Sequence, residues 1–400
     1  SMNLFEIADS YFNAGLTYEA INSILDALAI ENNNVSLVYL YDYIDKHILD
    51  TPQMIKAIHH AGLDSNDGHE KKLLLSIIHY YRSEEELANE YAQEYIAINP
   101  GDFKGFQLLA DFNYNNDEYL SALFYYRKSD QLQEDNYYSL LKQSICLYNL
   151  GYYNELIPLL TSIIDNDPYN HKAFYYRGLS YKETNKHKKA INDLTEYILL
   201  DPENEETFYY LGTCYYNTMQ FNRAKESLER YLKFDSENGE AHYYLGMINE
   251  NILELENAIF HYTKSRQLNS NLMDANLRLG MLHYKNDDFT KAMEPLRDFM
   301  IHNPDRFDIL EILADILYYD QKYEMAIDAF KKLYYADNTK IDYLLLIADS
   351  YIEIDDLPKA KDTLTKLILS GESNPETLLI LADIEDKLGN TDNAISYYQL

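Results

Sequence analysis

The chain has no tryptophan and only two cysteines in 400 residues. Basic residues are scarce: 34 lysines and arginines stand against 66 acids, a formal net charge of −32. That imbalance excludes nucleic acid as a partner, because its phosphates would be repelled. Anionic membrane surfaces are disfavoured for the same reason. No run approaches the ~18 apolar residues of a membrane span. The first residues also lack the basic-then-apolar order of a signal. No membrane insertion is therefore expected in this segment. Ser1 ahead of Met2 reads as an expression scar, which leaves room for a removed leader. The two cysteines need no oxidising compartment, which tilts the expectation slightly toward the cytoplasm and leaves others open.

Chemical motifs are missing as well. The sequence has no phosphate loop, no nucleophile elbow and no dinucleotide fingerprint. None of its eleven histidines forms an H-E-x-x-H pair. His59 and His60 are neighbours, so on a helix they point about 100° apart. Paired carboxylates occur everywhere in so acidic a chain and discriminate nothing; a solvated face is their default. The reading is no enzyme, no cofactor and no metal.

What the chain has is a period. Ala20 recurs 34 residues at a time as Ala88, Ala122, Ala190, Ala224, Ala258, Ala292, Ala326, Ala360 and Ala394, broken only at Met54 and Leu156. Ala8 has a matching series: Ser76, Ala110, Ser144, Gly178, Gly212, Gly246, Gly280, Ala314, Ala348 and Ala382, broken at Asp42. A fixed period of this size predicts a solenoid. Such folds bind along a surface far more often than they catalyse.

Each block reads as two helices. Phe208, Leu211, Gly212 and Tyr215 follow the i, i+3, i+4, i+7 rule, and Ala224, Leu228 and Tyr231 make a second stripe. Gly15, Gly151 and Gly389 share position 15 between the helices, a helix C-cap position. Pro100, Pro168, Pro202 and Pro304 at position 32 close the second helix. Pro52 and Pro358 fit its first turn, whereas Pro158 and Pro295 fall inside it. Small residues at positions 8 and 20 let antiparallel helices approach closely. Cys146 and Cys214, both at position 10 and two blocks apart, are too distant to bridge and read as buried small hydrophobes.

These residues resemble the tetratricopeptide repeat, most closely at Phe174-Gly178-Tyr181-Ala190-Pro202 and Phe208-Leu211-Gly212-Tyr215-Ala224. The resemblance covers eleven whole repeats, starting at 1, 35, 69, 103, 137, 171, 205, 239, 273, 307 and 341, and 26 positions of a twelfth from 375. Departures are the missing tryptophan, frequent Tyr or Leu at position 27, and a degenerate second repeat (35–68). The family implies one all-α array over 1–400, a right-handed superhelix of αα-hairpins whose first helices line a concave groove at positions 2, 5, 6, 9, 12 and 13.

On those positions the sequence places a tyrosine wall: Tyr175-Tyr176, Tyr209-Tyr210 and Tyr243-Tyr244, with Tyr216 and Tyr284 among others at position 12. Tyrosine combines apolar area, a polar tip and few rotors, which suits recognition; the same rings can instead cover the seam between helices. Further on stand two acidic rows, Asp274, Asp308, Asp342 and Glu376 at position 2 and Asp315, Asp349 and Asp383 at position 9; the six from Asp308 onward are expected to be unpaired on one face. They read either as a site for basic segments or as a solubilising stripe. The family's two-carboxylate clamp is absent: position 5 is never lysine, and Lys104, Lys142, Lys172 and Arg278 are scattered. Asn13, Asn115, Asn149, Asn217 and Asn251 recur at position 13, where capping is expected.

The functional expectation is a non-enzymatic scaffold that binds protein or peptide, with basic segments preferred, in an acidic, tyrosine-rich groove. The alternative is the recognition arm of a larger enzyme or membrane-associated protein. Leu400 falls at position 26, mid-helix. Since solenoid ends need capping, further native sequence is expected, along with a partly bare face at Leu378, Leu381 and Ala382 open to self-association.

Overall fold

A computed structural model describes residues 2–30, 34–46, 51–61, 69–133, 137–269, 272–370 and 374–400. Among them there are helices and turns and no strand. The chain divides into two compact units, Ser1–Thr218 and Met219–Leu400.

Unit 1 holds α1 (Met2–Asn13), α2 (Thr17–Ile30), α3 (Asn34–Lys46), α4 (Thr51–Ala61), α5 (His69–Tyr81), α6 (Glu85–Ile98) and α7 (Phe103–Asn115). It continues with α8 (Tyr119–Leu132), α9 (Tyr137–Asn149), α10 (Tyr153–Asn166), α11 (His171–Glu183), α12 (His187–Leu200) and α13 (Thr207–Asn217). Unit 2 holds α14 (Phe221–Phe234), α15 (Gly239–Asn251), α16 (Leu255–Leu268), α17 (Met273–Lys285), α18 (Phe289–His302) and α19 (Phe307–Tyr319). It ends with α20 (Tyr323–Ala336), α21 (Asp342–Glu353), α22 (Leu357–Leu369), α23 (Pro375–Lys387) and α24 (Thr391–Gln399).

Within each unit, helices pack on their sequence neighbours, as α7 on α8 and α17 on α18, and each second helix packs on the next first helix. The alanines at position 20 are buried throughout. At position 8 the tightest approach is to position 24 of the same repeat. A Cβ on Gly246 would lie 2.5 Å from the Tyr262 ring, and one on Gly280 2.5 Å from Leu296 Cγ. Ser76, also at position 8, donates from Oγ to the Ala88 carbonyl at 2.6 Å, so its helix meets the partner's backbone. The degenerate second repeat departs from this scheme. With Asp42 and Met54 where small residues stand elsewhere, α4 packs chiefly on α2 and also touches α5.

The turns share one device. Position 15 has positive φ in every turn described, from 57° at Asn185 to 80° at Gly389. The next amide reaches back to position 11, as Leu16 N to Tyr11 O at 2.9 Å and Glu254 N to Asn249 O at 2.8 Å. These are the bonds that satisfy orphan carbonyls at a helix end. Only Gly15, Gly151 and Gly389 are glycines; Ser83, Asp117, Asn185, Met219, Leu253, Asp287, Gln321 and Asp355 adopt the same conformation. A side chain there costs about 1–2 kcal/mol. We expect Gly151→Ala to lower stability by about 1 kcal/mol in a urea titration. Gly101→Ala, where no positive φ occurs and nothing lies within 4 Å of the added carbon, should be neutral or slightly stabilising. Equal effects at both sites would remove the left-handed turn as the cause.

Other expectations meet the structure directly. Cys146 and Cys214 are free and buried, and burial pushes their thiols up to about 12 and about 11. Asn149, Asn217 and Asn251 each donate to the carbonyl four residues back, at 2.8–2.9 Å, so they finish their helices. α10 and α18 continue through Pro158 and Pro295. One expectation fails: Leu378, Leu381 and Ala382 are buried. Short as it is, α24 packs on α23 and covers that face.

Unit 2 also holds a histidine pair. His242 Nδ1 and His261 Nδ1 are 2.9 Å apart, so one ring must donate and the other accept. Burial lowers both, and the neighbouring ring with the Lys225 charge takes His261 down to about 4. A depressed histidine contributes stability that is present above its unfolded value, about 6.5, and is lost as pH falls toward about 4. The melting-temperature gap between the native chain and His261→Gln should therefore shrink between pH 7 and pH 4.5. A constant gap would mean that the pair does not titrate with unfolding.

Candidate functional site

The first-helix faces carry the predicted groove positions, and the two units furnish them differently. In unit 1 the centre is Asp111, at position 9 of the fourth repeat and only 6% exposed. It accepts from the hydroxyls of Tyr41 at 2.8 Å, Tyr126 at 2.5 Å and Tyr138 at 3.0 Å. Burial raises its carboxyl above the usual range and outweighs those hydrogen bonds and the Lys142 charge. These residues come from α3, α7, α8 and α9, so one carboxylate ties the degenerate second repeat to the fourth and fifth.

Beside it a cleft of about 430 Å³ is lined by Tyr114, Tyr138, Lys142, Lys172, Tyr175 and Tyr176, with Tyr197 from the second helix. Lys142 Nζ lies 3.8 Å from the Tyr114 ring centroid and 5.6 Å from that of Tyr138. Burial lowers its ammonium from the usual value. Tyr175 packs on Tyr197 with centroids 4.8 Å apart and on Tyr176 at 5.4 Å. The rings thus make both arrangements at once: they cover the helix seam and leave a face on the cleft. Tyr209, Tyr210 and Tyr216 are half-buried on α13, with Tyr210 donating to Glu206 at 2.9 Å.

In unit 2, Tyr243 lies 5.9 Å from Tyr262 and 6.1 Å from Tyr244. It lines a cleft of about 370 Å³ with Glu250, Asp274, Arg278 and Lys285. Arg278 pairs with Glu250 at 3.0 Å. Tyr284 packs on Phe289 at 5.8 Å.

The acidic rows are less bare than their spacing predicts. Asp308 is gripped by Arg306 through two bonds of 2.7 and 2.8 Å, which lowers its carboxyl. Asp349 accepts from the Tyr318 hydroxyl, and Asp383 from that of Tyr398 at 2.5 Å. Asp315 is half-buried and raised by burial and the Glu311 charge. Asp342 and Glu376 stand exposed. The expectation of six unpaired carboxylates is thus corrected: local donors from positions 34, 12 and 24 reach three of them.

The family models agree with the period. Tetratricopeptide repeat families match residues 171–204, 206–235, 342–370 and 375–400. This chain is a tetratricopeptide-repeat protein. A further match, to the family described as anaphase-promoting complex, cyclosome, subunit 3, covers residues 251–333. Among solved structures, MamA 41-end from Desulfovibrio magneticus RS-1 is 22% identical, covering 42% of this chain and 94% of its own, with a TM-score of 0.40. YrrB, titled a TPR protein with an unusual peptide-binding site, is 21% identical over 56% of this chain and 98% of its own, with a TM-score of 0.34. No curated protein matches the chain.

Within the tetratricopeptide frame the lysines are not all scattered. Lys142, at position 6, and Lys172, at position 2 of the next repeat, line the same cleft. Lys104 is buried and donates to the Leu28 carbonyl at 2.9 Å, finishing α2. Asp111 was legible only as one more aspartate at position 9. The side chains of His59 and His60 lie outside the described residues. Among the described residues no three His, Cys, Asp or Glu side chains converge to hold a metal ion, and no helix is long and apolar enough to cross a membrane.

Proposed function

We propose that this tetratricopeptide-repeat chain is a non-enzymatic scaffold that holds protein or peptide segments on its first-helix faces. Tyrosine rings anchor the segment, and the acidic rows of unit 2 favour basic residues in it. What supports the reading most is the cleft between the fourth and sixth repeats. Tyr114, Tyr138, Tyr175 and Tyr176 converge there around about 430 Å³, within the size range of ligand sites. Aromatic rings at the centre of a concave surface carry much of a typical interface's energy. In unit 2, exposed Asp342 and Glu376 give a basic segment two carboxylates with no bond to displace.

A peptide array screened at low and physiological salt separates the two contributions. Tyr175→Ala should weaken binding about tenfold or more at both salts. Asp342→Lys should remove the basic preference only at low salt, because exposed charges are screened beyond about 8 Å at 0.15 M. Bound peptides without any basic bias would reduce the acidic rows to a solvated face. Unchanged binding by Tyr175→Ala would leave the tyrosines as seam packing.

A further inference from the structure

Unit 2 has a cavity on the other side of its repeats. It lies between the second helices α18 and α20, over α19, and measures about 330 Å³. Its walls include Met300, Leu310, Leu317, Met325 and Ala329, and its only charged lining groups are Arg297 and Lys332. The repeat register explains why it is open. In the other clefts of this kind in unit 2, matching positions carry polar links. His242 and His261 meet at 2.9 Å where Leu310 and Ala329 stand here. Arg266 and Asp298 meet at 2.7 Å where Met300 and Lys332 stand. Lys331 Nζ reaches the Tyr351 hydroxyl at 2.6 Å where Arg297 and Leu317 stand. Each of these links belongs to a different cleft, and this cleft has none of them: apolar side chains and two exposed cations stand at all of these positions. Neither cation makes an ion pair among the described residues, in a chain of net charge −32.

We propose that this cavity binds the tail of a small anionic amphiphile, a fatty-acid carboxylate, whose head sits between Arg297 and Lys332. Flexible methionines suit a tail of no fixed shape. At roughly 30 Å³ per methylene-sized group, the liquid volume of a water, the cavity holds a chain of about ten to twelve carbons. A single head charge fits better than an acidic protein segment. Exposed Glu324 and Asp328 stand beside the lining residues on α20, and would repel any segment with carboxylates along its length.

Isothermal titration with dodecanoate, kept below its micelle concentration, tests this on the whole chain. One molecule should bind per chain. Decanoate and octanoate should bind progressively more weakly, about fourfold per methylene, the factor matching about 0.8 kcal/mol. Dodecyltrimethylammonium should bind at least tenfold more weakly than dodecanoate. Lys332→Glu with Arg297→Glu, both on exposed side chains, should weaken dodecanoate at least tenfold and leave dodecanol unchanged. Ala329→Phe should block all of these chains, with thermal melting to confirm the fold. Binding indifferent to chain length, to head charge or to the two cations overturns the proposal. So does a designed acidic amphipathic peptide that binds through Lys332 while dodecanoate does not, which would make the cavity a protein-docking site. Neither result bears on the first-helix faces, whose peptide binding is read by Tyr175→Ala.

Discussion

Asp111→Ala is expected to destabilise unit 1 by about 2–4 kcal/mol, because it strips the acceptor from three tyrosine hydroxyls. Each buried donor left without a partner costs about 1–3 kcal/mol. Tyr126, which has no exposed surface, should feel the full loss, and the half-buried Tyr41 and Tyr138 less. Relief of the buried charge offsets part of the sum. Asp111→Asn keeps one acceptor oxygen and should fall between. The pH dependence has a definite sign. Because the folded carboxyl is raised, its contribution is fullest below the unfolded value of about 3.9 and declines as pH rises through the folded one. The gap between the native chain and Asp111→Asn should narrow from pH 4 to pH 8 in urea titrations. A loss under about 0.5 kcal/mol for the alanine variant would mean that water replaces the carboxylate and the cluster is not closed.

Gly280→Leu should cost unit 2 about 3 kcal/mol, the upper part of the range for overpacked cores. The first added carbon already falls 2.5 Å from Leu296 Cγ and 3.2 Å from that residue's backbone nitrogen. A side chain can turn aside and a helix backbone cannot, so α17 and α18 must part. Gly246→Ala tests the same contact against a ring. Tyr262 is fully buried and donates to Glu250 at 2.8 Å, so it has nowhere to swing. A loss of about 2 kcal/mol is expected by thermal melting. If either variant melts with the native chain, position 8 is not the point of closest approach.

Features that repeat were legible in the sequence, and features that break the repeat were not. Alanine at position 20 and small residues at position 8 recur in a linear chain exactly as the packing recurs in space, so the hairpins could be read by counting. The left-handed turn was visible only at its three glycines. Leu253 and Met219 adopt the same φ, and nothing in their chemistry announces it; the bonds around the turn impose it. The Asp111 cluster was invisible for another reason. It joins Tyr41, Tyr126 and Tyr138 across three repeats, and its position-9 aspartate looks identical to Asp349, which meets Tyr318 instead. The Arg306 grip on Asp308 was local enough to foresee, because the two lie two residues apart. The apolar cavity needed the register plus a structure to show which matching positions touch.

The neighbour-to-neighbour packing within each unit has a kinetic consequence. Nearly every close helix contact is made by segments less than two repeats apart in sequence, so little chain entropy must be surrendered before a contact forms. Folding of either unit should therefore be fast for its length and able to begin at any hairpin. The same locality weakens cooperativity. As denaturant rises, hairpins at the ends of a unit can unravel while inner ones persist, and probes placed in different repeats should report different midpoints instead of one shared transition.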